Sequence, residues 1–163
     1  MLKFFKDLLS EKPDSENSDS NYSSDTTSSD DNSERKLQLA TCALFLEVAQ
    51  ADEHFKRDER EKIMKVMKEM FVLSSEEINE LMKQSDEYIQ QSVSLYEFTD
   101  VINNHFNKDE RYEIIKNVWR LILTDEKIHK YEEHFVRTIT ANFKLEHRDM
   151  ITAKMEVKEE LEL

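Results

Sequence analysis

The stretch ATCALFLEVAQADEHFKRDEREKI, Ala40 to Ile63, decides the fold. Its first half is apolar nearly all round, its middle is a charged loop from Asp52 to Lys56, and its end opens a second helix with acidic residues around Glu59. A helix with so little polar face belongs at the centre of a bundle. The same plan returns in the second half of the chain, in VWRLILTDEKIHKYEEHFV, where Asp125 takes the place of Asp52 and Glu132 that of Glu59.

Working outward, Ile63, Val66, Met67 and Met70 recur at i, i+3, i+4 and i+7 and predict a helix from about Arg57 to Met70. Met64, Met67 and Met70 read as packing residues, and Lys62, Lys65 and Lys68 as its solvated face. Ser74 with Glu77, and Ser94 with Glu97, have the spacing of capping boxes. Asn107 to Glu110 is a third start signal, opening the second long apolar helix with Ile114, Ile115, Val118, Trp119, Leu121, Ile122 and Leu123. A helix from Tyr131 to about Phe143 is expected to bury Phe135, Ile139 and Phe143. The last, from about His147 to Val157, carries Met150, Ile151 and Met155. By these helices the better register is one position shorter than the offset from Asp52 to Asp125. It pairs Ile63 with Phe135, Phe71 with Phe143 and Leu73 with Leu145.

The chain has no glycine and a single proline, Pro13. Glycine-rich phosphate loops and dinucleotide fingerprints are therefore absent, and tight hairpins lose their usual turn residue. The expected fold is all-α: a compact bundle of about seven helices with a two-fold internal repeat over residues 34–157, followed by an acidic tail, 158–163.

Two different materials precede the bundle. Residues 1–9, MLKFFKDLL, are expected to form a short amphipathic helix, whose spacing puts Leu2, Phe5, Leu8 and Leu9 on one face. So short a helix needs a surface to form on, either protein or, more weakly, membrane. Residues 10–33 are rich in Ser, Asp, Asn and Thr and read as a disordered acidic linker.

Net charge is −13, of which residues 1–9 carry +1, residues 10–33 carry −6 and the remainder −8. Such a domain repels phosphate backbones, so nucleic acid is excluded as a partner, and a protein partner is expected. The lone cysteine, Cys42, lies in an apolar run and reads as core. No run is long enough to span a bilayer, and the expected location is cytoplasmic.

EVAQADEHFKRDERE and LILTDEKIHKYEEHFVRTI resemble the two signature segments of the TerB-like family, the tellurite-resistance TerB proteins and the related N-terminal domain of the DjlA co-chaperone. LYEFTDVINNHFNKDERYEIIKNVW resembles the family's segment between the copies, and the likeness covers about residues 36–155. It implies an all-helical fold, a divalent-metal site built from acidic residues, and a loose link to stress responses. The chain departs from the pattern where Glu53 and Glu126 replace the family glycine, where Thr124 replaces an alanine, and where Arg57 and Lys130 stand at a frequent proline position. It has no His-Pro-Asp signature.

The candidate metal ligands are Asp52, Glu59, Asp125 and Glu132, with calcium or magnesium as the ion suited to hard oxygen donors. If the helices after the loops begin near Arg57 and Lys130, both glutamates fall at the third helical position, where local structure alone accounts for them. Asp52 and Asp125 sit near C-terminal helix ends, where the dipole disfavours an anion. Loop amides, a basic side chain or a cation would compensate. The spacing is not that of an EF-hand loop. The histidines form no zinc-helix pair, and Trp119 reads as core. The expected function is a non-enzymatic TerB-like interaction module that binds a divalent cation. The alternatives are a co-chaperone-like or membrane-peripheral adaptor acting through Leu2, Phe5, Leu8 and Leu9, and, less favoured, a metal-dependent hydrolase.

Overall fold

Helix α1, Thr27–Gln50, runs through the middle of the molecule and is covered by α2 (Arg57–Phe71), α3 (Ser75–Gln91), α4 (Leu95–His105) and α5 (Lys108–Leu123). Helix α5 packs in turn against α6 (Lys130–Asn142) and α7 (His147–Glu160), and α4 reaches across to α6. The computed structural model describes residues 27–51, 57–91, 94–123 and 130–163, and all regular structure among them is helical.

The reason for the central position of α1 is its lack of a polar face. From Leu37 to Leu46 every residue is buried, and Cys42, Ala43, Leu44, Phe45 and Leu46 are fully so. Each large apolar side chain removed from water there contributes about 1.5–3 kcal/mol. Thr41 is accommodated because its hydroxyl donates to the Leu37 carbonyl at 2.8 Å. The helix starts at Thr27, inside the segment 10–33 expected to be linker. Asp31 and Glu34 are exposed in its early turns, where negative charge favours a helix N-terminus.

Two of the expected start signals form reciprocal caps. Ser74 N donates to Glu77 Oε2 at 2.8 Å while Glu77 N donates to Ser74 Oγ at 3.2 Å, and Asn107 and Glu110 exchange the same pair at 2.8 and 3.0 Å. Ser94 is the N-cap of α4 but makes no side-chain cap bond; the Glu97 N–H goes to the Ser94 carbonyl instead, at 3.2 Å.

The register expectation is corrected. Helices α2 and α6 start at Arg57 and Lys130, the same offset that carries Asp52 to Asp125. Ile63 and Val136, which keep that offset, are the fully buried residues, and Phe135 is only partly buried. The offset shortens by one position at the far end, where Val72 and Lys144 both take left-handed backbone, φ 53° and 56°. Helix α6 is thus shorter than α2, so the change of register lies between Val136 and the helix end. The Lys144 turn closes with Lys144 N donating to the Ala141 carbonyl and Leu145 N to the Thr140 carbonyl, at 3.0 and 3.1 Å, a Schellman end built without glycine. On α7, Met150, Ala153 and Val157 face the core, whereas Ile151 and Met155 are exposed.

Two polar devices fix the helices around the site. Arg60 on α2 pairs with Asp86 on α3 at 2.7 Å. Arg111 on α5 donates to the Phe143 carbonyl at 2.8 Å and to Asn103 Oδ1 at 2.9 Å, while Asn103 Nδ2 donates to the Asn142 carbonyl at 2.8 Å. A guanidinium at the C-terminal end of α6 also suits the helix dipole.

Candidate functional site

The C-terminal turns of the two long apolar helices meet. Val48 and Ala49 from α1 and Leu121 and Ile122 from α5 border one small cavity of about 10 Å³. Glu59 from α2, Lys62 from α2 and Glu132 from α6 complete its wall. The lining follows the repeat: Val48 and Leu121, Ala49 and Ile122, and Glu59 and Glu132 are pairs at the one offset that also relates Asp52 to Asp125. A cavity of this size holds about one water-sized particle.

Both glutamates occupy the third position of their helices, because α2 begins at Arg57 and α6 at Lys130. That position places a carboxylate near unpaired backbone amides and the positive end of the dipole. Glu132 is nevertheless 7% exposed, and Glu59 half-buried. Solvated first-turn carboxylates have no need of burial, which costs free energy unless a donor or cation lies beside them.

The copies differ in polarity at one lining position. Lys62 is half-buried on the cavity wall, and its counterpart in the second copy is Phe135. Reading Lys62 as part of a solvated stripe is therefore corrected; Lys65 and Lys68 are the exposed pair. The signal was in the sequence, since Lys62 stands at i+3 from Glu59 and so shares its face of the helix. By residue type the lining holds two acidic side chains and one basic one.

Asp52 and Asp125 lie outside the described residues, as do the two acidic loops and Leu2, Phe5, Leu8 and Leu9. Among the described residues no group of three or more His, Cys, Asp or Glu side chains could hold a metal ion. By donor type Glu59 and Glu132 could supply two oxygen ligands, short of the roughly 6–8 that calcium takes.

Comparison with protein families decides the relationship. The family model for tellurite resistance protein TerB matches residues 38–155. The chain belongs to the TerB family. The match begins in α1 and ends in α7, so the residues that border the cavity all fall within the TerB domain. No curated protein and no solved structure matches the chain.

Other residues with chemical potential serve packing in this TerB domain. Cys42 is fully buried, burial pushes its thiol up to about 12, and its Sγ lies 3.4 Å from Met82 Sδ. Trp119 is fully buried, donates from Nε1 to the Met150 carbonyl at 3.1 Å, and carries the Lys154 ammonium 4.8 Å above its ring. No described helix is long and apolar enough to cross a membrane.

Proposed function

We propose that this TerB domain is a non-enzymatic cytoplasmic interaction module, and that its duplicated acidic segments bind one divalent cation and present it, or the surface it orders, to a protein partner. The observation that carries the reading is the approach of Glu59 and Glu132, one from each copy, to a single cavity between the ends of the two longest apolar runs. Asp52 and Asp125 follow those runs directly and would supply further carboxylates. Calcium or magnesium suits an all-oxygen donor set. The family description supports extending the proposal to a role in a stress response of the tellurite-resistance type.

The test is calorimetry and thermal melting of the full chain with calcium, magnesium, manganese and zinc. Expected is saturable binding by the wild type, with stabilisation of about 2.7 kcal/mol at a hundred times Kd. Glu59→Gln/Glu132→Gln and Asp52→Asn/Asp125→Asn should each abolish it. No response from the wild type, or an equal response from both variants, removes the cation from the reading.

A further inference from the structure

A second concavity lies elsewhere on the domain, between the early turns of α1 and the α2–α3 turn. It has a volume of about 290 Å³ and is lined by Asp31, Glu34, Arg35, Gln38, Phe71, Val72, Leu73 and Glu77. This is near the lower end of the range for ligand pockets, about 300–1,000 Å³, and takes a few side chains rather than a folded domain. Its carboxylates, Asp31, Glu34 and Glu77, are all exposed and outnumber its cation, Arg35, which donates to Gln84 Oε1 at 3.0 Å.

The edge of the concavity carries an exposed apolar side chain at the end of α2. Val72 is 91% exposed and sits at φ 53°. Left-handed backbone costs a non-glycine residue about 1–2 kcal/mol, and a β-branched residue is an outlier there. The left-handed backbone ends α2 as Lys144 ends α6, and the valine side chain it leaves in water is the apolar surface at this edge.

We propose that the occupant is the chain's own N-terminal segment, residues 1–9, docked as a short amphipathic helix. Leu2, Phe5, Leu8 and Leu9 form one apolar face that meets Val72 and Phe71, while Lys3 and Lys6 meet the carboxylates of Asp31, Glu34 and Glu77. The reach is short. Helix α1 begins at Thr27, and Asp31 lies about 6 Å along it at roughly 1.5 Å per residue. The linker, residues 10–26, spans about 21–25 Å as a flexible chain. Tethering on that scale gives a local concentration of order millimolar, enough for a weak helix-in-groove contact. The linker is itself acidic, which keeps it off an acidic groove and leaves the basic segment as the part attracted there.

The test uses the full chain with a nitroxide at Ser10→Cys. Cys42 is buried and does not compete for the label. The expected result is loss of amide NMR intensity at residues 31–38 and 71–77, independent of protein concentration, and recovery in Phe5→Asp and in Val72→Asp. Val72→Asp changes an exposed side chain, so the fold survives it, and Glu34→Lys supplies an independent charge reversal with the same expected recovery. Three results overturn the proposal: no loss at those amides, loss that grows with protein concentration and so reports a second copy, and loss that appears only with anionic phospholipid vesicles.

Discussion

Helices α1 and α5 hold the same place in the two halves of the chain, and they are kept there by different forces. Helix α1 is enclosed by neighbours and presents buried residues on every side between Leu37 and Leu46. Helix α5 keeps an outer charged face. Lys116 Nζ lies 3.2 Å from Glu156 and 2.9 Å from Glu160 of α7, and Arg120 holds Glu160 through Nε and Nη2 at 2.9 and 3.1 Å and Glu113 at 2.9 Å. The contrast sharpens at one repeat position, where Arg120 of the second copy corresponds to Glu47 of the first. Arg120 suits the C-terminal end of its helix. Glu47 opposes the dipole of its own, and burial raises its carboxyl above the ordinary value. The lesson is that one helical plan can be secured by enclosure or by a charged clamp. The choice depends on whether neighbouring helices cover the outer face.

The largest test of that contrast is Phe45→Ala. Phe45 is fully buried in α1, and phenylalanine truncations in cores cost about 3–5 kcal/mol. Urea denaturation should show a loss in that range. A loss below about 1 kcal/mol would mean that α1 is not the enclosed helix described here.

Next in size are the two left-handed helix ends. Val72→Gly should stabilise the domain by about 1 kcal/mol and Lys144→Gly by less, since the penalty for left-handed backbone is greater with a β-branched side chain and glycine returns part of the gain through chain entropy. Melting in a Phe5→Asp background separates this from any contact made by the N-terminal segment. Equal gains at both positions would show that the branching at Val72 carries no cost.

The smallest effect belongs to the clamp. Glu160→Gln should cost less than about 1 kcal/mol at neutral pH, because the pair is partly exposed and screened by salt. Its pH signature is more specific. Hydrogen bonds from Arg120 and Lys116 lower the Glu160 pKa from 4.5 to about 2. The stabilisation is therefore complete above about pH 4.5 and is lost as pH falls toward 2. Stability curves of wild type and Glu160→Gln should converge across that window; a constant gap would place the effect in packing rather than charge.

Much of the candidate site is legible in residue spacing. The start signals before the helices put Glu59 and Glu132 at third helical positions, and the internal repeat names them as a pair. Lys62 is harder to place, because a lysine at helical spacing with Lys65 and Lys68 looks like a solvated stripe; its i+3 spacing from Glu59 marks the shared face, and the approach of α5 covers that face. The same holds for Phe135 and Val136. Both are apolar neighbours on α6, and the pattern admits either register until the helix packs.

The sequence by itself determined the helical class, the number and starts of most helices, the repeat, and the central place of the Ala40 stretch. These follow from local rules: periodicity, capping chemistry and the absence of glycine. Tertiary structure alone decided that the ends of α1 and α5 converge on Glu59 and Glu132, that α5 is clamped by charge where α1 is enclosed, and that Val72 stands strained and exposed beside an acidic concavity. The physical reason is that these depend on which faces meet across the chain, and no pattern along one helix specifies its partner.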